Sequence, residues 1–234
     1  MPVSETYLID CMEYMAGLPD KFFDLAVVDP PYFSGPDKLG YYGERTSAAG
    51  VKRGEYAKAG TWHVPGVEYY NELCRVSKNQ IIWGINYFEF AGMVPGRIVW
   101  DKVNGESSFS DAELASCSLH DSVRLFSFMW NGMMQGSGIR NGRGRIQQGN
   151  KALNQKRIHP TEKPFALYHW IYETYSAPGQ KIFDSHMGSQ SSRIAAWNMG
   201  MDYYGCEIDP KYFCEGNERF EAHRKNNFEQ AKLF

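Results

Sequence analysis

Short apolar runs alternate along the chain with stretches of helical spacing. Residues 6–10 and 23–29 read as buried strands, with helix-compatible residues from Cys11 to Leu18 between them. Residues 30–65 lose that periodicity and fill with Gly, Pro, Ser and charge, a connection far longer than usual and so either functional or mobile. Val67, Tyr70, Leu73 and Cys74 restore helical spacing, after which residues 80–83 and 97–100 predict strands flanking a short helix near Tyr87 and Phe88. Residues 112–118 and 122–130 are two more apolar runs, expected as a pair of adjacent strands. A Gly, Asn, Gln and Arg-rich excursion occupies residues 131–157. Leu167, Trp170, Ile171 and Tyr175 then predict a helix, with Pro164 suited to its first turn. A strand at 181–184, a small-residue turn, a helix at 191–199, a strand at 203–207 and a helix from Pro210 complete the pattern. Such alternation predicts an α/β domain with an open, mostly parallel sheet covered on both faces.

Composition narrows this little. A chain of 234 residues, 43% apolar and 22% charged, suits one substantial domain rather than two equal ones or a disordered chain. Its longest apolar runs fall far short of the roughly 20 residues of a membrane-spanning helix. The first residues lack the basic and apolar regions of a secretory signal, so a cytoplasmic location with no membrane partner is expected. Cys11, Cys74, Cys117, Cys206 and Cys214 contain no C-x-x-C pair; they suggest neither a disulfide framework nor a metal site and read as small core residues. Trp83, Trp100, Trp170 and Trp197 fall on predicted core elements and read as packing.

Charge changes the picture more. The net charge of −2 conceals a segment between Ser122 and Thr161 with no acid but with Arg124, Arg140, Arg143, Arg145, Lys151, Lys156 and Arg157. By itself such a run is an ordinary solvated loop. It gains meaning from two strand ends. At the first, Asp184 precedes the turn Ser185-His186-Met187-Gly188-Ser189 into a helix, and Glu207 closes the following strand. A helix N-terminus offers N–H groups and a strand-end carboxylate can accept both hydroxyls of a ribose, which together make a nucleoside-cofactor site. At the second, Asp29-Pro30-Pro31-Tyr32 follows an apolar strand. The prolines hold the backbone rigid, so a carboxylate and a fixed carbonyl form two acceptors for an exocyclic amino group beside an aromatic face for stacking.

With these residues in view, the chain resembles the S-adenosylmethionine-dependent DNA amino-methyltransferases, specifically their permuted β group, in which the catalytic motif precedes the cofactor motif. Asp29-Pro30-Pro31-Tyr32 resembles the catalytic motif, in the Asp form more typical of adenine enzymes than of cytosine enzymes. Residues 159–164, with Thr161, Lys163 and Pro164, resemble the segment entering the helix before the cofactor strand. Asp184, Ser185, His186, Met187, Gly188 and Ser189 resemble the cofactor loop, Glu207 and Ile208 the ribose-binding strand end, and Asp10 with Cys11 the pair that contacts the cofactor adenine. The chain departs from the family loop at Ser185 and His186, where Pro and Phe are usual, and at Gln190, where Gly is usual. An ordinary negative φ is expected at Gln190. His186 reads as a hydrogen-bonded surface residue without a role as base.

The resemblance implies a three-layer Rossmann-like methyltransferase fold, with residues 1–130 as the catalytic half (loop 33–64 mobile), 131–158 as a small basic target-recognition insert and 159–234 as the cofactor half. It implies methyl transfer from S-adenosyl-L-methionine to N6 of adenine in double-stranded DNA after base flipping. Asp29, Pro30, Pro31 and Tyr32 would hold the base, and Arg140, Arg143, Arg145, Lys151, Lys156 and Arg157 would contact the nucleic acid. The loop cations Lys38, Arg45, Lys52, Arg53 and Lys58 would close over the base or touch the backbone. Cytosine-N4 or RNA-base methylation, or a silent DNA-binding relative, are the alternatives. A homodimer would supply extra DNA contacts to so small an insert; a separate restriction endonuclease is compatible with the sequence but not implied by it.

Overall fold

The computed structural model describes residues 1–32, 63–104, 110–130, 135–136, 155, 158 and 161–231, with side chains described as far as residue 226. Eight strands form the main sheet in the order β1 (Ser4–Leu8), β10 (Asp202–Glu207), β9 (Lys181–Asp184), β2 (Phe23–Val28), β3 (Ser77–Trp83), β5 (Ala112–Cys117), β4 (Arg97–Asp101) and β6 (Val123–Ser127). All neighbours run parallel except at β5, which is antiparallel to both β3 and β4.

Alternation along the central strands divides the core into two layers. Leu25, Val27, Ile81, Trp83 and Ile182 pack under α3 (Phe165–Tyr175) and α4 (Ser191–Asn198), which contribute Leu167, Ile171, Tyr172, Ala195 and Ala196. Ala26, Val28, Ile82 and Phe183 face the other way, against Cys11 and Met15 of α1 (Cys11–Ala16) and Tyr69, Leu73 and Val76 of α2 (Val67–Val76). In this second layer Phe23 lies flat on Phe183, ring centroids 4.5 Å apart. Burying each such ring contributes roughly 1.5–3 kcal/mol. The long α5 (Pro210–Ala231) closes the chain and packs Phe213 against the first layer. No described helix is long and apolar enough to cross a membrane.

The order of the strands decides where a ligand can bind. From β9 the chain passes through α4 to β10, on one side of β9, whereas from β2 it passes through α2 to β3, on the other side of β2. The connections therefore diverge between β9 and β2, and a crevice opens at the carboxyl ends of these two strands. Asp184 ends β9 and Asp29 directly follows β2, so the two acids singled out in the sequence stand on either side of that crevice.

Two expectations need correction. The runs at 112–118 and 122–130 do form strands, but β5 and β6 are not neighbours, because β4 lies between them. A strand has two edges only; β3 takes one edge of β5 and β4 the other, leaving β6 the outer edge of β4. That position suits β6, whose Val123 and Leu125 remain exposed. The cysteines are not all core residues: Cys11, Cys117 and Cys206 are buried, Cys74 is half-buried and Cys214 is exposed. The last two lie on α2 and α5 respectively.

Candidate active site

Asp29 ends a row of alternating charges in which Lys163 is buried and the others are half-buried. Lys163, two residues before α3, forms an ion pair through Nζ with Asp29 Oδ2 and lies 3.2 Å from Glu113 Oε2. Glu113 Oε1 in turn is 2.5 Å from Lys102 Nζ. The Lys163 side chain is only 2% exposed, and its ammonium stands over the Trp83 ring, 5.6 Å from the centroid. Burial works against the charge on Lys163, but Asp29 and Glu113 together hold its pKa above the ordinary lysine value. At Asp29 burial dominates and raises the carboxyl above its usual range, opposed mainly by Lys163. At Glu113 burial is outweighed by Lys163 and Lys102, and the pKa falls. Asp29 Oδ1 is buried and has no hydrogen-bond partner among the described residues.

Glu113 and Lys102 escaped the sequence reading. Lys102 follows β4, at the carboxyl edge of the sheet; Glu113 is the second residue of β5 and reaches the same edge only because β5 runs the opposite way, opposite Trp100 in register. The alternation of charged and apolar residues in this stretch gives no hint of a site. Lys163 was expected with the cofactor-binding residues; the structure brings it to Asp29.

Tyr32 lies parallel to Tyr87, with ring centroids 4.7 Å apart and 7° between planes. Tyr87 is 60% exposed, so the pair forms an aromatic platform at the mouth of the crevice. It belongs to a 3-10 turn (Ile85–Tyr87) that begins after Gly84, at φ +70°. Gly84 is required there twice over: its φ is left-handed, and a Cβ would fall 2.2 Å from Tyr32 Cδ1. Pro30 is buried and Pro31 half-buried beside them.

Across the crevice, the described partners of Asp184 are neutral donors. Oδ2 accepts Ser192 Oγ–H and, at 3.2 Å, Tyr203 OH; Oδ1 accepts the His186 N–H at 3.2 Å. Burial raises its pKa to about 7. Ser185 is buried, its Oγ 2.6 Å from Tyr69 OH and 2.8 Å from His186 Nδ1. His186 is half-buried rather than on the surface, and burial lowers its pKa to about 4, so the ring is neutral near pH 7. Met187 is buried and donates its N–H to the Cys206 carbonyl at 3.0 Å. Gly188, at φ +43°, donates its N–H to Glu207 Oε2 at 2.9 Å. Glu207 Oε1 accepts the N–H groups of Ile208 and Asp209, each at 3.0 Å. Beside this carboxylate the Ile208 side chain is left 67% exposed. Asp10 caps α1 through Oδ1, accepting the Met12 N–H at 2.8 Å, with Cys11 buried behind it. The predicted loop thus comes together with Glu207, while Asp10 lies two residues beyond β1, the parallel neighbour of β10.

The expectation for Gln190 is overturned. Its φ is +58°, the left-handed conformation the glycine of the related loop would take at no steric cost. Packing holds it there: Gln190 is fully buried, its Oε1 accepts Arg193 Nη1–H at 2.8 Å, and it fills the space a Cβ at Gly216 of α5 would occupy.

Thr161, half-buried, and Pro164, buried, flank a second hub. Glu162 Oε1 accepts from Gln155 at 2.8 Å, Arg219 at 3.1 Å and Ser191 at 3.3 Å, and Oε2 accepts the Ile158 N–H at 2.9 Å. Gln155 also exchanges two hydrogen bonds with Gln135 of β8 (Gln135–Gly136), which pairs with β7 (Met129–Trp130). These contacts tie both ends of the basic excursion to the start of α4. Arg140, Arg143, Arg145, Lys151, Lys156 and Arg157 lie outside the described residues, as do Lys38, Arg45, Lys52, Arg53 and Lys58.

The family model for N6/N4 methyltransferases, described as DNA methylase, matches residues 125–218, less than half of the chain and beyond the Asp29 segment. A curated Escherichia coli (strain K12) protein, "Putative methylase YubD", is 27% identical over 228 residues, which span 91% of this chain and 88% of that protein. Among solved structures, the M1.HpyAVI complex with S-adenosylmethionine aligns with a TM-score of 0.53 at 19% identity, covering 92% of this chain and 98% of the other. The PvuII DNA methyltransferase, cytosine-N4-specific, aligns with a TM-score of 0.55 at 12% identity, covering 94% and 87%. At these identities the structural likeness shows the fold: this is the α/β architecture of methyltransferases that use S-adenosylmethionine.

Proposed function

We propose that this chain is a DNA methyltransferase that uses S-adenosyl-L-methionine and modifies an exocyclic amino nitrogen, N6 of adenine, on a base turned out of double-stranded DNA. The observation that carries the reading is the pairing, across one crevice, of Asp29, with a buried oxygen awaiting a donor, and a loop whose Gly188 amide meets a strand-end glutamate.

The donor set fits the cofactor. Glu207 would take the ribose hydroxyls with the lone pairs its backbone contacts leave open, the exposed Ile208 would lie against the adenine face, and Asp10 with Cys11 would border the same ring. The residues from Ser185 to Ser189 would line the remainder of the molecule. When bound, S-adenosylmethionine supplies a methyl group on a positively charged sulfur, already activated for direct transfer.

The protein's part is to hold the target nitrogen. Its lone pair is delocalised into the ring; hydrogen bonds from the two N–H groups to Asp29 Oδ1 and the Pro30 carbonyl favour a pyramidal nitrogen with its lone pair directed outward. The Tyr32–Tyr87 platform stacks the extruded ring, which a duplex would otherwise keep out of reach. The basic excursion and the long loop after Tyr32 supply the DNA surface. Preference for adenine rests on Asp, rather than Ser, at the first place of the motif.

The test is transfer of labelled methyl from S-adenosylmethionine to unmethylated DNA, with the product nucleosides separated and Asp29→Ala run beside the wild type. Label in deoxyadenosine that the variant does not produce is the expected result. Label in deoxycytidine assigns N4 of cytosine instead, and cofactor binding without transfer to DNA or RNA overturns the enzyme reading.

A further inference from the structure

We propose that Lys163, itself held by Glu113 and Lys102, is a positioning residue that clamps one oxygen of Asp29 and leaves the other to meet the target amino group. The inference rests on the methyltransferase reading and deepens it.

Three observations carry it. First, Lys163 binds Oδ2 and not Oδ1, so the two carboxylate oxygens are unequal: one is engaged, the other is buried and without a hydrogen-bond partner among the described residues. Unmade hydrogen bonds of buried groups are unfavourable, and they persist where a ligand completes them. Second, the ammonium has no freedom. It lies over the Trp83 ring, and Glu113 is a second anion within reach of it, itself paired with Lys102. The row Lys102, Glu113, Lys163, Asp29 alternates in sign, so its charges compensate one another pairwise. Third, stability does not ask for such a row, because a buried ion pair is commonly no better for folding than an apolar group of equal volume. An amino group, by contrast, is served by an acceptor oxygen that is held in place and left open.

Around Asp29 the charged and titratable groups are Lys163 before α3, Glu113 on β5, Lys102 after β4, Tyr168 on α3, Tyr32 on its own segment and Asp184 at the end of β9. Burial and Glu113 push the carboxyl toward its neutral form; Lys163 and Lys102 oppose them. Neutralising Lys163 and neutralising Glu113 therefore move Asp29 in opposite directions.

The experiment measures single-turnover methyl transfer to unmethylated DNA from pH 5 to 9 at saturating S-adenosylmethionine, with cofactor affinity measured in parallel by calorimetry. Lys163→Met should slow transfer about 100-fold at neutral pH, by analogy with loss of one preorganised electrostatic contact, and move the acid limb of the profile upward. Glu113→Gln, nearly isosteric and the safer variant for folding, should move the acid limb downward. Lys163→Arg should recover part of the lost rate, and cofactor affinity should change less than about threefold in all three, since the clamp acts on the base. An unmoved acid limb in both Lys163→Met and Glu113→Gln overturns the inference while the wild type still methylates DNA. So does a tenfold or greater loss of cofactor affinity in Lys163→Met with an unchanged acid limb, which makes Lys163 a cofactor ligand. Absence of transfer by the wild type overturns the methyltransferase reading itself, and the inference with it.

Discussion

Asp29 and Asp184 close adjacent parallel strands, face the same crevice and are both deeply set, yet they are served in opposite ways. Among the described residues, Asp29 has a full counter-charge on one oxygen and no hydrogen-bond partner on the other. Asp184 has no counter-charge among them, and neutral hydrogen bonds reach both its oxygens. A cation keeps a carboxylate charged in a dry site and leaves acceptor capacity for a visitor. Hydroxyls and an amide fix the carboxyl as part of the scaffold and let its pKa rise to about 7. On the proposed reading the first arrangement serves chemistry, and the second shapes the loop that follows it.

The largest break in this contrast should come from Asp29→Ala. Transfer should fall by roughly 10²–10³-fold or more in single-turnover assays, while cofactor affinity stays within about threefold. Loss of cofactor binding instead would exchange the roles assigned to the two strand ends.

Asp184→Asn probes the other partner through stability. A folded-state carboxyl raised from 3.8 to about 7 disfavours the folded state progressively as pH rises through that interval. Removing its titration should therefore stabilise the variant relative to wild type by about 1.4 kcal/mol for each pH unit between roughly 4 and 7. Denaturant titrations at several pH values would show it; a constant offset would mean that Asp184 does not titrate there.

Gly84→Ala disturbs the aromatic platform without touching either acid. The added Cβ meets Tyr32 at 2.2 Å, so the ring must shift, and transfer should drop roughly 10²-fold with little change in cofactor affinity. Ser192→Ala gives the smallest effect. Loss of its bond to the Asp184 carboxyl should destabilise the protein by about 1.5 kcal/mol above pH 7 and by less at pH 5, where that carboxyl is protonated. An equal loss at both pH values would separate the hydroxyl from the ionisation of Asp184.

Much of this contrast is legible in the chain. Asp29-Pro30-Pro31-Tyr32 and the run from Asp184 to Ser189 are contiguous, and each follows an apolar strand whose end places it at the ligand-binding edge. Glu207 is equally visible as the acid that ends the next strand. Gln190 was misjudged because φ propensity is a local preference, whereas burial against α5 and the bond from Arg193 are not local. Tyr87 reads only as part of a short helical stretch and nothing in the sequence marks Gly84, since stacking on Tyr32 depends on β2 and β3 lying side by side.

The sequence alone determined the alternation of strands and helices, the parallel sheet it implies and the two motifs at strand ends, because period, proline, glycine and capping chemistry act over a few residues. Only the tertiary structure decided that β4 would come between β5 and β6, that β5 would run backwards, and that Glu113, Lys102 and Lys163 would gather at Asp29. Strand order is chosen by which edges remain open as the sheet assembles. Pairing among buried charges is chosen by the shared loss of water, and neither is written in any single stretch of chain.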